Sequence, residues 1–294
     1  MNGIMLKYRL FFGTLMTVFF TAVMILDGWL DGSLTFSGRT YLPDKPVQGT
    51  LLCILIALLL VPAQLELSKL AVAKGLKIFV PVSIIGSILI GTSWYWPQFV
   101  AGCLSIVLLF FLAAFLFLAL LLYQYIHYGT SSVLANCGAN CFSICYLGLL
   151  ISFVLGMRID FGLWPLLMFV FVVKSADIGA YAIGSLFGSH KFSPKISPSK
   201  TWEGMAGAIA AAVIVAIAFA VSCDIMALWP AVIFGVCFAF IGQIGDLVES
   251  MLKRDAAQKD SANRVPGFGG ILDIIDSPLL AAPFAYLFFQ QLQI

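Results

Sequence analysis

The chain has 294 residues, 62% of them hydrophobic and 10% charged, with a formal net charge of +2 and a mean hydropathy of +1.05. Soluble globular domains carry roughly 25% charged residues, so this composition excludes a water-soluble enzyme, and +2 leaves no basic footprint for nucleic acid. The apolar residues fall in runs of about 20, the length that crosses a bilayer core. They do not alternate as barrel strands do, and an unpaired backbone cannot cross lipid, so the runs must be helices. The expected fold is an all-α polytopic integral membrane protein.

In chain order the pattern predicts about nine spans, near 10–29, 50–68, 77–94, 98–126, 140–157, 163–184, 204–222, 228–252 and 276–293. The first follows Lys7 and Arg9 as a signal peptide would, but no small-x-small cleavage site follows it, so it reads as a retained helix. Trp94, Trp96, Trp164, Trp202 and Trp229 stand near predicted span ends, where an aromatic belt puts them. With the N-terminus inside, twelve Lys and Arg fall in cytoplasmic segments and three (Arg39, Lys45, Arg158) in outer loops, which predicts a cytoplasmic N-terminus. Residues 1–160 form an N-terminal region of about five spans. Residues 161–294 form a second region with cytoplasmic loops at 185–203 and 253–275.

The first region reads as nearly empty of chemistry. Glu66, near Lys69, looks like an interfacial residue, and His127 has no ligand partner nearby in sequence. Cys137, Cys141 and Cys145 recur every four residues on one helix face. Small-residue helix packing explains them better than a thiolate metal site.

The second region is different. Ten of the chain's 30 charged residues lie between Asp246 and Asp276. Gln243, Asp246, Ser250 and Lys253 recur at i, i+3, i+7 and i+10, one stripe of a helix, with Glu249 alongside. A carboxylate facing lipid costs about 2.5–3.5 kcal/mol on insertion scales, so the stripe must face protein or water. Asp273 and Asp276 share a face at the start of the last span, and Asp276-Ser277-Pro278 also reads as a helix start. Asp246 and Asp273 would repel each other without a cation between them, and oxygen-only ligands favour Mg²⁺. Lys174, Asp177 and Tyr181 form a further stripe, whose first two members an ion pair would explain. Lys191, Lys195 and Lys200 then alternate with Ser193, Ser197, Ser199 and Thr201 in a Pro-broken loop. Ammonium, hydroxyl and backbone N–H groups together suit phosphate oxygens. Gly269 and Gly270, after Gly267, add a turn where backbone can approach an anion.

These features predict a cytoplasm-facing site that moves a phosphorus-containing group between a soluble nucleotide and a lipid. An ion-coupled transporter is the alternative from another class, and no inverted repeat is visible to support it.

Ser250-Met-Leu-Lys253-Arg254, then Lys259-Asp260, then Pro266-Gly-Phe-Gly269-Gly270, then Asp273-Ile-Ile-Asp276 resembles the signature of the phosphatidate cytidylyltransferase (CDP-diacylglycerol synthase) family. Asp177-Ile-Gly-Ala-Tyr181 and Ser193-Pro-Lys-Ile-Ser-Pro-Ser-Lys-Thr-Trp-Glu-Gly204 look like stretches the family shares. Two positions depart from it: Phe268 replaces the family His, and Ile274 the family Arg. The resemblance implies transfer of a cytidylyl group from CTP to phosphatidic acid, giving CDP-diacylglycerol and pyrophosphate for phospholipid synthesis. It implies Mg²⁺, with or without a second cation, on Asp246 and Asp273. Ser250, Lys253, Arg254, Lys259 and Asp276 would surround the CTP phosphates. Asp177, Lys195, Ser197, Lys200, Thr201, Gly269 and Gly270 would line the substrate site. A homodimer in the bacterial inner membrane is implied as well. The rivals within this chemistry are a CTP-dependent lipid kinase and transfer to another lipid acceptor.

Overall fold

The computed structural model describes residues 3–31, 47–99, 105–258 and 269–292. Among these the regular structure is helical: α1 (Gly3–Asp31), α2 (Thr50–Ala73), α3 (Val80–Gly91), α4 (Ser105–Tyr128), α5 (Val133–Ile144), α6 (Leu150–Asp160), α7 (Leu163–Phe187), α8 (Trp202–Cys223), α9 (Leu228–Asp255) and α10 (Leu272–Gln291). A π-helical turn, Cys145–Leu149, joins α5 to α6, so 133–160 is one continuous span. Among the described residues eight stretches are long and apolar enough to cross a membrane, and α3 is a shorter apolar helix. The protein is a polytopic α-helical membrane protein.

α3 falls short of the span expected at 77–94. At 1.5 Å per residue, its 12 residues reach about 18 Å, well short of the roughly 30 Å hydrocarbon core. Its start is fixed by a side chain rather than by the apolar run. Asn140 Oδ1 accepts the N–H of Phe79 at 2.7 Å, Asn140 Nδ2 donates to the Lys77 carbonyl at 2.9 Å, and Pro81 falls in the first helical turn.

The chain divides into two compact units. The first holds α1 to α6 up to Ile159, and the segment ending at Leu272. Its interior is more polar than the sequence pattern implies. Gln64 donates to Ser143 Oγ (2.9 Å) and accepts from Ser87 Oγ (3.2 Å), while Ser83 Oγ donates to Asn140 Oδ1 (2.7 Å). Two expectations need correction here. Glu66 is fully buried, not interfacial, and accepts the N–H of Leu272 at 2.9 Å. Arg158 is not an outer-loop cation. It is 3% exposed and paired with Asp27 (2.8 Å) and Asp31. A buried cation is tolerated only with such partners, and as an internal ion pair it carries no topological signal.

The second unit runs from Asp160 to the end of α9 and from Asp273 through α10. α7 and α8 pack backbone to backbone: a Cβ added at Gly207 would lie 2.6 Å from the Gly179 carbonyl oxygen. Ala208, Ala212, Ala216 and Ala220 continue the stripe as buried small residues, the usual means of close helix approach in lipid. α9 packs on α10 through Phe234 and Phe238 against Phe288, with ring centroids 5.1 and 6.2 Å apart. Farther along, a Cβ on Gly245 would lie 2.9 Å from the Asp276 carbonyl oxygen. The two helices therefore cross closely where their acidic residues sit.

Candidate functional site

α9 brings the predicted stripe to the interior of the second unit. Gln243 and Glu249 are buried, and Asp246, Ser250 and Lys253 are half-buried. α10 starts at Leu272, four residues before the expected Asp276 start, which places Asp273 in the first turn and Asp276 and Ser277 in the second. Asp273 in a first turn suits the helix dipole. Asp276 is consequently no N-cap of this helix, although its Oδ1 accepts the N–H of Ser277 at 2.7 Å.

Ser277 is the centre of the arrangement. Its hydroxyl contacts Asp246 Oδ1 in a short hydrogen bond and lies 3.1 Å from Asp177 Oδ2 and 3.3 Å from Asp276 Oδ1. A serine hydroxyl has one hydrogen to donate. At most one of these three carboxylate oxygens can receive it, and the other two face an oxygen.

Cations flank this group. Lys174 Nζ lies 3.2 Å from Asp177 Oδ2, the ion pair expected from the sequence. Gln243 Nε2 donates to Asp177 Oδ1 at 3.3 Å. Lys200 Nζ donates to Asp246 Oδ2 at 3.1 Å and to the Gln243 carbonyl at 2.8 Å. Beside them lies a second set, in which Lys253 Nζ bridges Glu249 Oε2 (2.5 Å) and Asp273 Oδ1 (2.6 Å). Glu249 is 1% exposed, and its Oε1 has no hydrogen-bond partner. Asp246 and Asp273 are thus held by different lysines. Across both sets, five carboxylates (Asp177, Asp246, Glu249, Asp273, Asp276) face three ammonium groups. With every group ionised, the described side chains lack two positive charges, the charge of one divalent ion.

A short hairpin delivers Lys200. Lys191 and Thr201 form an antiparallel bridge, Phe192 donates its N–H to the Lys200 carbonyl (3.2 Å), and Trp202 donates to His190 (2.9 Å). Thr201 is buried and caps α8, accepting the N–H of Gly204 at 3.1 Å. Lys195 is exposed, and Ser197 Oγ lies 3.4 Å from Ser199 Oγ. Arg254 is exposed and donates to the Gln258 carbonyl (3.3 Å), away from the carboxylates. Gly269 adopts φ 94°, a backbone conformation open mainly to glycine, and Gly270 is buried. Ile274, at the family Arg position, is half-buried in the first turn of α10. Lys259 and Phe268 lie outside the described residues.

Sequence reasoning missed the role of Ser277. A hydroxyl beside Asp276 reads locally as a capping signal, and only its position four residues after Asp273, on an apolar helix, hints at more.

Residues 44–292 match the model of the cytidylyltransferase family. The chain belongs to that family. Every side chain of the carboxylate and lysine sets falls within the matched stretch. The chain is also similar to three proteins named phosphatidate cytidylyltransferase. It is 41% identical to that of Staphylococcus saprophyticus over 142 residues, 48% of this chain and 54% of that protein. To that of Bacillus subtilis it is 40% identical over 144 residues, 48% of this chain and 54% of that protein. To that of Mycobacterium bovis it is 40% identical over 124 residues, 42% of this chain and 40% of that protein. The chain spans about half the length of these relatives, or less.

Proposed function

We propose that this member of the family transfers the cytidylyl group of CTP to phosphatidic acid, releasing pyrophosphate and leaving CDP-diacylglycerol in the bilayer. The observation that carries this reading is the excess of carboxylate over ammonium groups around Ser277, in a stretch that matches the cytidylyltransferase family. A site that must receive a highly charged nucleotide with its counter-cation is better served by unbalanced acids than by closed ion pairs. The lipid nature of the acceptor is supported by the membrane-spanning fold and by the names of the relatives.

The chemistry asks little acid–base work of the protein. A phosphate oxygen of the lipid bonds to the α-phosphorus of CTP, the bond from that phosphorus to the β-bridging oxygen breaks, and pyrophosphate departs with the electron pair. The nucleophile is already an anion, so positioning and charge neutralisation carry the rate. Among the described residues no three His, Cys, Asp or Glu side chains form a cage for a metal ion. Mg²⁺ does not require one: it is held by one or two carboxylates together with waters and substrate phosphates. The oxygen-only donors, and the excess of carboxyl over ammonium groups among the described residues, fit it. Asp246 and Asp273 would hold it, with Asp177 and Asp276 adjacent, and its chemistry would be to offset triphosphate charge. Lys200 and Lys253 would turn from their carboxylates to phosphate oxygens, and Ser277 would keep Asp246 and Asp177 oriented.

The same reading puts the site on the cytoplasmic side of a bacterial inner membrane, as the distribution of Lys and Arg and the bacterial relatives favour, and takes the protein as a homodimer on the family resemblance alone. The test is purified protein in lipid nanodiscs with phosphatidic acid, Mg²⁺ and CTP labelled at the α-phosphorus. Label should enter the lipid. Label that stays with the soluble nucleotide overturns the proposal, and entry of γ-label instead makes the protein a lipid kinase.

A further inference from the structure

One carboxylate outside the proposed chemistry gathers three partners. Glu203, the second residue of α8, accepts the main-chain N–H groups of Ser189 and His190, each at 3.2 Å. Its Oε1 lies 2.5 Å from Nδ1 of the same histidine. These contacts close the open end of the hairpin that carries Lys200. Between its strands the hairpin has one bridge, Lys191 to Thr201, and two hydrogen bonds, with the Phe192 ring tilted against Trp202 at 5.6 Å and two further backbone hydrogen bonds inside the turn, Ser197 to Ser193 and Lys200 to Ser197. An isolated two-stranded ribbon of this size is marginal in water. Lys200 nevertheless places its ammonium on two specific acceptors in α9, Asp246 Oδ2 and the Gln243 carbonyl oxygen.

We propose that Glu203 is a positioning residue: by clamping the base of the hairpin it fixes the backbone from which Lys200 reaches Asp246, and so sets how well the site receives nucleotide phosphate. The inference rests on the cytidylyltransferase reading for the word nucleotide, and on geometry alone for the clamp. A purely local role is the other explanation for an acid at this position. Glu203 lies in the first turn of α8, where a negative charge favours the helix dipole. That role alters stability and has no reason to act through Lys200.

The experiment is a double-mutant cycle between Glu203→Ala and Lys200→Ala, read by CTP kinetics and by amide hydrogen exchange of substrate-free protein. Loss of charge-assisted hydrogen bonds at the clamp should raise the KM for CTP about tenfold, with the KM for phosphatidic acid unchanged. In the Lys200→Ala background the same substitution should add almost nothing, since both act through one ammonium group. Glu203→Gln, which keeps the shape and one acceptor oxygen, should give about a threefold change, and it carries the cycle if the alanine variant does not fold. Amides of residues 189–202 should exchange faster in either variant. Additive effects on the KM for CTP, or exchange equal to wild type, overturns the clamp. Wild-type protein that makes no labelled lipid defeats the functional reading instead, and hydrogen exchange then decides the clamp by itself.

Discussion

Both units bury charged side chains in helices that cross a membrane, and they settle those charges differently. In the first unit, Arg158 sits between Asp27 and Asp31, and the remaining carboxylate oxygens are occupied as well. Asp27 Oδ1 takes the N–H groups of Leu51 (2.7 Å) and Leu52 (3.4 Å), and Asp31 Oδ1 takes that of Gly49 (3.2 Å). Those donors lie at the N-terminus of α2, where unpaired N–H groups and the dipole favour negative charge. In the second unit, three carboxylate oxygens surround one hydroxyl, and among the described residues five carboxyl groups face three ammonium groups. Aspartates supply negative charge in both places. The count of donors against acceptors separates glue from site.

The largest effect should come from breaking the closed set. Arg158→Met would leave Asp27 and Asp31 buried without their cation, a loss of about 3–5 kcal/mol in comparable buried pairs. Thermal unfolding in detergent should show a large fall in Tm, and adding Asp31→Asn should recover part of it. A variant as stable as wild type would mean that these charges are solvated rather than buried.

Asp246→Asn tests the open set. It removes a charge from the acid-rich face, and the rate of label transfer should fall on the order of 10²–10³-fold, while Tm stays near or above wild type because an unbalanced acid has gone. A large drop in Tm with the rate intact would make the second unit's acids structural, like those of the first.

How much of this contrast was legible in the sequence differs between the units. The helices of the second unit follow from local signals: bilayer-length apolar runs, Pro and Gly between them, and charges conspicuous against that background. α7, α8 and α9 accordingly lie within a few residues of their expected bounds. Asp177, Asp246 and Asp273 stood out because a carboxylate in an apolar helix needs a reason wherever its partner lies. Arg158 and Glu66 were misread because their partners are remote, Asp31 being 127 residues from Arg158 and Leu272 206 residues from Glu66. Gly-Met-Arg158-Ile-Asp-Phe-Gly looks like a polar loop until α1 supplies the acids. Ser277 escaped notice for a different reason, since a hydroxyl carries no charge and its local neighbours already explain it.

The smallest predicted effects form a matched pair of serines, one in each unit. Ser277→Ala removes the hydroxyl that Asp177, Asp246 and Asp276 surround, and it should lower kcat/KM about tenfold and raise the Mg²⁺ concentration needed for half-maximal rate. Ser143→Ala removes a hydroxyl with equally good partners: it accepts from Gln64 Nε2 at 2.9 Å and donates to the Asn140 carbonyl at 2.9 Å. Hydrogen bonds between membrane helices are worth about 0.6 kcal/mol on average, so Tm should fall slightly while the rate and the Mg²⁺ dependence hold. The pair is informative because the chemical change is identical and both hydroxyls are buried. Equal losses of Mg²⁺-dependent rate at both positions would mean that burial, rather than the imbalance of acceptors over donors, decides which polar groups in this protein take part in chemistry.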